Sequence, residues 1–402
     1  MQAAGVLIEY NPMHMGHAHL LAELRRQLGA ETAVVCAMSG DFVQRGDFAV
    51  VNRRARAEAA VRSGVDLVLE LPLPWAIAPA ERFADGGMQV LLGTGVVEHV
   101  AFGSECGDAA ALGEVASCLL SPAFDEALRR ELKSGRSYAA CRQAAVGRLL
   151  GAEKAALLES PNNILGIEYC KSLLRRKSAV RPLTIRRLGA AHDAPDTAGQ
   201  TASASAIRAL LLANGREEAL GYMTPAMQAV YLREEAAGRA PVSAAVCQRS
   251  ILARLRTMEA ADFAALDEGR EGLGNRLYEA SRTAVSVEAV LEAAKTKRYA
   301  YARLRRMVLW AYLGLRPAQF PESVPYLRVL AANAVGRRLL GHMRETAAVP
   351  VLTKPADVRL LGPEAQALLA LEARAADLYA LAYPDLSAAV GGSLWREGPV
   401  IV

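Results

Sequence analysis

Apolar runs and segments with helical spacing alternate along the first half of the chain. Short apolar runs bounded by turn residues are typical of buried strands. Five such runs lie at residues 4–9, 32–38, 65–71, 97–102 and 181–188. Apolar residues recurring at helical spacing predict helices at residues 16–28, 53–63, 80–92, 160–176 and 203–212.

This alternation predicts a parallel sheet covered by helices on both faces, a Rossmann-like α/β fold. Ligands of such folds bind beyond the carboxyl ends of the strands. Polar segments lie at four predicted strand ends: the stretch after Glu9, the loop 39–47, Glu70 and residues 103–105. We therefore expect the functional site at this edge of the sheet.

The pattern changes along the chain. Residues 108–150 predict helices joined by short turns, which we interpret as an insertion into the α/β domain. From about residue 216 onward the pattern is mainly helical. Because domains usually contain about 100–200 residues, a 402-residue chain predicts two or three of them. We place a boundary near Asn214, between an α/β domain at 1–215 and a mainly α-helical domain at 216–402.

Composition and charge narrow the class of protein. Hydrophobic residues make up 52% of the chain but aromatic residues only 5%, which favours helices rich in alanine and leucine. The net charge of +5 is consistent with an anionic partner. No apolar stretch reaches the roughly 20 residues of a membrane span, and the N-terminal residues lack the basic region of a signal peptide. We expect a cytoplasmic protein with no membrane association.

The six cysteines form no C-x-x-C pair and no cluster with zinc spacing. Free, mostly buried thiols in a reducing compartment are the expected state. The sequence therefore predicts no zinc and no other protein-bound metal.

The strongest chemical motif runs from Asn11 to His17, with the sequence N-P-M-H-M-G-H. It follows the first predicted strand and opens the first predicted helix, where the free N–H groups and the dipole favour anions. His14 and His17, three residues apart, are expected to lie side by side and to donate to phosphate oxygens, and Gly16 allows a ligand close to the backbone. The alternatives are two incidental histidines near a turn, or a metal site for which no third ligand is evident.

A second motif, from Ser203 to Arg208, has the sequence S-A-S-A-I-R at a predicted helix start. Taken alone it favours an ordinary N-cap with a surface arginine. Together with the histidine motif it resembles the phosphate clamp of nucleotidylyltransferases, in which Arg208 would hold the β- and γ-phosphates.

Longer stretches carry a more specific resemblance. They are EYNPMHMGHAHLL at Glu9, MSGDFVQRGDFAV at Met38, GVDLVLELP at Gly64, FGSE at Phe102, SPNNILGIEY at Ser160, GLGNRLYEA at Gly272, KTKRYAYARLRRM at Lys295 and PYLRVLAANAVGRRLL at Pro325. The chain thereby resembles the bacterial tRNA(Met) cytidine acetate ligases, a branch of the HxGH nucleotidylyltransferase superfamily, over nearly its whole length. It departs from the family pattern at Met13, usually Phe, and at Asp41, often Asn.

The resemblance implies a two-step reaction. Acetate and ATP give acetyl-adenylate, and the acetyl group then passes to N4 of the wobble cytidine of elongator tRNA(Met). No acetyl-CoA is expected, and Mg²⁺ is expected only as the usual companion of ATP. The domain at 1–215 would bind ATP, and the domain at 216–402 would bind the tRNA.

The resemblance also implies a set of ATP-binding residues, among which His14 and His17 are catalytic. The set is Leu7, Ile8, Glu9, Tyr10, Asn11, Pro12, Met13, His14, Met15, Gly16, His17, Leu20, Gly103, Asn162, Arg186, Arg187, Ser203 and Arg208. Without the resemblance, a role in a turn would be as good an explanation of Gly103 as contact with ATP. For Asn162, a role as a helix cap would be favoured over contact with ATP. Arg186 and Arg187 would point in opposite directions on a strand, so at most one should reach a phosphate. His19 lies on another helix face and is expected to be structural.

Basic residues near aromatic ones are the pattern expected for RNA binding. Arg53, Arg54 and Arg56 cluster on one predicted helix. A denser run contains Lys295, Lys297, Arg298, Arg303, Arg305 and Arg306, interleaved with Tyr299 and Tyr301. From this run we predict Lys295, Lys297, Arg298 and Arg303 as RNA ligands, the alternative being a solvated helix face. Gln44 and Arg45 are candidates for contact either with the anticodon or with acetate.

Two other functions compete with this one. Another HxGH adenylyltransferase, acting on a small phosphorylated cofactor precursor, would have no need of the helical C-terminal half and its basic run. An RNA-binding protein with a degenerate nucleotide site would not be expected to keep His14, Gly16, His17, Ser203 and Arg208 together.

Overall fold

The computed structural model describes residues 2–187, 202–213, 215–266 and 268–402. The strands are Ala3–Ile8 (β1), Ala33–Ser39 (β2), Phe42–Val43 (β3), Asp47–Phe48 (β4), Leu67–Leu71 (β5), His99–Ser104 (β6), Arg181–Arg186 (β7), Leu327–Ala332 (β8), Val351–Leu352 (β9) and Val400–Ile401 (β10). The helices up to β7 are Met15–Leu28 (α1), Arg53–Arg62 (α2), Leu73–Ala76 (α3), Ala80–Gly93 (α4), Ala109–Leu119 (α5), Pro122–Leu132 (α6), Tyr138–Leu150 (α7), Ala152–Ala156 (α8) and Pro161–Arg175 (α9). The later helices are Ala204–Leu212 (α10), Arg216–Tyr222 (α11), Pro225–Ala236 (α12), Gln248–Arg256 (α13), Ala260–Ala264 (α14), Leu273–Thr283 (α15), Val287–Ala294 (α16), Tyr301–Leu313 (α17), Ala334–Thr346 (α18), Pro363–Ala380 (α19) and Ser393–Arg396 (α20).

The main sheet has the strand order β10-β8-β5-β2-β1-β6-β7, with β9 paired to β8. The five neighbouring strands β5, β2, β1, β6 and β7 are all parallel to one another. Their order along the sheet reverses direction at β1, as in a Rossmann fold. The Rossmann-like prediction is confirmed, and the observed ends of all five predicted strands agree to within two residues. Leu188, at the end of the fifth predicted strand, lies outside the described residues.

The predicted parallel sheet is extended at one edge by β8 and β10, two strands that the sequence pattern did not predict. Strand β8 pairs antiparallel with β5, and β10 pairs parallel with β8. Both strands come from the region after residue 216, so that region is not helical throughout. The division into domains at residue 215 stays a prediction, and Asn214 lies outside the described residues.

Alternating side chains of the central strands are buried on both faces of the sheet. In β2, Val34, Cys36 and Met38 belong to one apolar cluster, while the intervening alanines and Val35 belong to another. Burial on both faces explains why these strands are continuous apolar runs. Among the described residues, no helix has the length and apolar character needed to cross a membrane.

The connections at the carboxyl edge of the sheet include two features that position the site. The predicted loop at 39–47 contains a small antiparallel hairpin of β3 and β4. Between β6 and β7 the chain forms five helices, α5 to α9, the first three of which cover the predicted helical insertion. Helix α9 packs against α4 and α5, which brings its first turn beside the end of β6.

Candidate nucleotide site

The loop after β1 is fixed by its backbone. Tyr10 has a φ of 45°, in the left-handed region, and the Asn11-Pro12 peptide bond is cis. The Asn11 side-chain oxygen accepts a hydrogen bond from the Val50 N–H at 2.8 Å. Met13 is fully buried. The loop therefore delivers His14 to the N-terminus of α1 in a defined orientation.

His14 is the N-cap of α1, and its ring lies 3.8 Å from that of His17 between centroids. The His14 Nδ1 atom accepts from the Gly16 N–H at 3.1 Å, and the His17 Nδ1 atom accepts from the His14 N–H at 3.2 Å. A Cβ at Gly16 would lie 2.9 Å from the His14 ring, so a larger residue would displace the imidazole. The prediction that the two imidazoles are neighbours is confirmed.

These hydrogen bonds define the chemistry of both imidazoles. Burial, reinforced by the positive charge of Arg187, lowers the pKa of His14 to about 4. Burial, with His14 and Arg187 nearby, lowers the pKa of His17 well below its ordinary value. At neutral pH both rings are therefore uncharged, and because each Nδ1 accepts a hydrogen bond from a backbone N–H, the ring proton is assigned to Nε2. Each imidazole can offer one Nε2–H donor to a ligand.

A cavity of about 490 Å³ lies beside the two imidazoles. It lies between the ends of β1 and β6, where the strand order reverses and ligands of this fold class bind. Nine of the predicted ATP-binding residues line it: His14, Gly16, His17, Leu20, Gly103, Asn162, Arg186, Arg187 and Ser203. Residues from five separate segments of the chain thus meet at one site.

The other nine predicted ATP-binding residues do not line this cavity. They are Leu7, Ile8, Glu9, Tyr10, Asn11, Pro12, Met13, Met15 and Arg208. The Leu7 side chain packs against Gly87 of α4 and belongs to the core. The Arg208 Nη1 atom donates to the Asn11 carbonyl oxygen at 2.6 Å, and its Nη2 atom lies 3.5 Å from Ser205 Oγ. A contact between these residues and ATP stays a prediction.

Glu105 and His19 also line the cavity, although neither was among the predicted ATP-binding residues. The Glu105 carboxylate accepts from Asn162 Nδ2 at 2.7 Å and from the Asn163 N–H at 2.8 Å. It therefore caps the first turn of α9 and orients Asn162, whose side-chain amide already has a partner. The polar segment 103–105 at a strand end was the available signal for Glu105.

Two of the three arginines that cluster on the basic helix α2 are buried, contrary to the expectation of a basic surface. Arg56 is fully buried, and its guanidinium donates to the carbonyl oxygens of four residues, which are Glu9, Ser39, Gly40 and Val51. Arg53 is buried in an ion pair with Asp41, with Nη1 to Oδ2 at 2.5 Å, and lies 3.5 Å from the Glu70 carboxylate. Arg54 is exposed but lies 3.5 Å from the Glu397 carboxylate. Asp41 therefore anchors the loop to α2.

The second basic run divides into exposed and paired residues. Lys297 and Arg298 are exposed, and no ion pair is found for either within the described parts of the chain. Arg306 is buried against Glu268, with Nε to Oε1 at 2.5 Å. Arg303 lies 3.7 Å from Glu268. The surface prediction therefore fails for Arg306, and the guanidinium of Arg303 already has carboxylates beside it.

Of the two hairpin candidates, Gln44 has structural partners. Its N–H donates to the Glu9 carboxylate at 2.6 Å, and its side-chain amide donates to the Ala78 carbonyl at 3.0 Å. Burial raises the pKa of Glu9, while this hydrogen bond and the cations Arg56, Arg208 and Arg45 act in the opposite direction. Arg45 is exposed and remains available to a ligand.

Comparison with known proteins gives a consistent result. Residues 1–391 match the HIGH nucleotidyl transferase family. The tRNA(Met) cytidine acetate ligase of Acetivibrio thermocellus is 34% identical over the whole of both chains. That of Caldicellulosiruptor saccharolyticus is 38% identical over 96% of this chain and 95% of its own length. The chain belongs to the tRNA(Met) cytidine acetate ligase family.

Solved structures agree with membership of the tRNA(Met) cytidine acetate ligase family. Thermotoga maritima TmcAL bound with alpha-thio ATP is 32% identical, with a TM-score of 0.94 over the whole of this chain and 99% of its own. Its apo form has the same TM-score over the whole of both chains.

Proposed function

We propose that this protein is an ATP-dependent acetate ligase that acetylates N4 of the wobble cytidine of elongator tRNA(Met). Membership of the tRNA(Met) cytidine acetate ligase family over the full length supports the overall reaction. The paired neutral imidazoles beside the cavity support the adenylation step, and this observation carries the proposal.

In the first step an acetate oxygen forms a bond to the α-phosphorus of ATP, and the bond from that phosphorus to the pyrophosphate oxygen breaks. Negative charge develops on the phosphoryl oxygens and on the leaving pyrophosphate. The Nε2–H groups of His14 and His17 are preorganised donors for this charge, and Arg187 adds a positive potential. Both donors are neutral before ATP binds, so neither repels the other.

In the second step N4 of the cytidine attacks the acetyl carbonyl carbon, and the bond from that carbon to the AMP oxygen breaks. AMP leaves, and the amine loses one proton. No acetyl-CoA is consumed. Holding the cytidine against the bound acetyl-adenylate can provide much of the rate of this step.

Two further ATP contacts are proposed, one at Gly103 in the cavity and one at Arg208, which does not line it. We place the nucleotide against Gly103, where a Cβ would lie 3.2 Å from Arg187 and would narrow the site. Arg208 holds the β- and γ-phosphates through Nη2, whose contact with Ser205 is weak at 3.5 Å. Any Mg²⁺ would be bound through the phosphates of ATP, whose charge it would help to neutralise. A tRNA substrate implies a cytoplasmic location.

Exchange of labelled pyrophosphate into ATP tests the adenylation step. We expect exchange that depends on acetate, because acetate is the nucleophile toward the α-phosphorus. A nucleotide or pantetheine phosphate should not replace acetate. Exchange supported by either of those compounds and not by acetate would favour another HxGH adenylyltransferase.

A further inference from the structure

The first turn of α17 carries a partly exposed tyrosine with two cations close to its ring. Tyr301 is 39% exposed, with the Lys295 ammonium 5.6 Å and the Arg305 guanidinium 6.0 Å from its ring centre. Tyr299 differs, because it is only 5% exposed and its hydroxyl donates to the Glu271 carbonyl at 2.7 Å. Of these two tyrosines, only Tyr301 is placed to receive a planar ligand.

This turn is connected to the nucleotide motif through the β3–β4 hairpin. The Gln44 N–H donates to the Glu9 carboxylate, and the Gln44 carbonyl lies 3.5 Å from Arg306 Nη1. Gly46 packs on the backbone of α17, where a Cβ would lie 2.3 Å from the Arg306 nitrogen. Two hydrogen bonds therefore link Glu9, immediately before the histidine motif, to the helix that carries Tyr301.

Several arginines lie close to the β3–β4 hairpin that links α17 to the nucleotide motif. Burial raises the pKa of Asp47 in the hairpin, while Arg305 and Arg208 act to lower it. One carboxylate thus experiences both the arginine of the proposed phosphate clamp and an arginine beside Tyr301. Within the described residues, neither Arg45 nor Arg305 forms an ion pair, so both remain available to an anionic ligand.

We propose that Tyr301 is the stacking platform for an unpaired base in the RNA loop that carries the target cytidine, with Lys295 and Arg305 contacting the adjacent phosphates. A partly exposed aromatic ring with two cations about 6 Å from its centre matches the two components of single-stranded RNA, its bases and its backbone. Because every base has a stacking face, Tyr301 should contribute affinity and not base selectivity. This inference rests on the proposed function and adds a specific contact to it.

Tyr301→Ala tests the platform directly. The Kd for the anticodon stem-loop of elongator tRNA(Met) should rise about tenfold, as expected for the loss of one stacked base. Tyr301→Phe keeps the ring and should stay within about twofold of wild type. Tyr138→Ala removes a 62% exposed tyrosine from α7 and should leave the Kd unchanged. Acetate-dependent pyrophosphate exchange should be normal in all three variants, which also shows that they fold.

The outcomes separate this inference from the proposed function. A Kd that is unchanged in Tyr301→Ala, or equally raised in Tyr301→Phe, would overturn the platform. Tight binding of the stem-loop without acetate transfer would contradict the wobble cytidine as the acceptor. The Kd values of Tyr301→Ala, Tyr301→Phe and wild type would then still decide whether Tyr301 is the platform. Wild-type protein that fails to bind the stem-loop would overturn both.

Discussion

Within the nucleotide site, backbone N–H groups occupy the Nδ1 atoms of both His14 and His17. The motif predicted two neighbouring imidazoles, and that part followed from the spacing alone. The nitrogen that carries the proton is decided by the local hydrogen bonds, so it could be assigned only from the structure. For Arg56 the sequence pattern led to a wrong expectation. It appeared to be a surface cation, but carbonyl oxygens from several loops surround it, and residues distant in the chain supply them.

Replacing either imidazole should impair adenylation. His14→Ala and His17→Ala each remove an Nε2–H donor and should lower acetate-dependent pyrophosphate exchange about 10²–10³-fold. His14→Gln should retain more activity than His14→Ala, because its amide can donate from a similar position. His342→Ala, at an exposed site on α18, is the matched control and should exchange normally. Normal exchange in His14→Ala or His17→Ala would remove the phosphate role.

The pKa of His14 offers an independent test. It is about 4 in the folded protein against an ordinary value of 6.5, so the folded chain binds fewer protons than the unfolded chain between those pH values. The free energy of unfolding should therefore fall as the pH decreases through this window. Pyrophosphate beside the ring should favour the charged imidazole and raise its pKa. Histidine-selective NMR, assigned with His14→Gln, measures both values; a titration near 6.5 without ligand would contradict the buried, neutral assignment.

At the scale of elements, the central strands were predictable because burial on both faces makes each one a continuous apolar run. The same signal failed for β8, because Arg328 interrupts its apolar residues and a short apolar stretch between helical segments is typical of either structure. Its partner β5 lies about 260 residues earlier, at Val68 and Leu69, so local pattern could not reveal the pairing. Cavity-lining residues from five segments of the chain were likewise brought together only by the topology of the sheet.

Packing of the hairpin against α17 can be tested with two matched glycines. Gly46 and Gly135 have φ values of 77° and 71°, so alanine is strained at both. Only at Gly46 would the new Cβ also collide with the backbone of α17, whereas Gly135 faces open space. Gly46→Ala should therefore raise the KM for tRNA and lower the Tm more than Gly135→Ala does. Equal effects of the two substitutions would show that the hairpin contact does not position α17.

For the whole molecule, the location of the charges matters more than the net value of +5. Many arginines are used internally, as Arg53 and Arg306 show by their buried ion pairs with Asp41 and Glu268. Lys297 and Arg298 remain exposed beside the turn that carries Tyr301. The sequence identified this run by its density of cations but could not distinguish the paired members from the exposed ones.

The exposed pair should dominate the salt dependence of tRNA binding. Replacing Lys297 and Arg298 together by alanine should weaken binding and reduce the slope of log K against log salt by about 0.7–0.9 for each lost phosphate contact. The control is the double substitution Arg129→Ala and Lys133→Ala, which removes two exposed cations at the end of α6. Filter binding at several salt concentrations measures the slopes. An unchanged slope in the first variant would argue against this surface as the RNA contact.

The central claim is that acetate activated by ATP is transferred to RNA. Incubation of the protein with labelled acetate and an elongator tRNA(Met) transcript, with and without ATP, tests it most directly. We expect ATP-dependent label on the wobble cytidine without acetyl-CoA, together with release of AMP and pyrophosphate. An unlabelled transcript, with ATP binding intact, would contradict the assignment of tRNA as the acceptor.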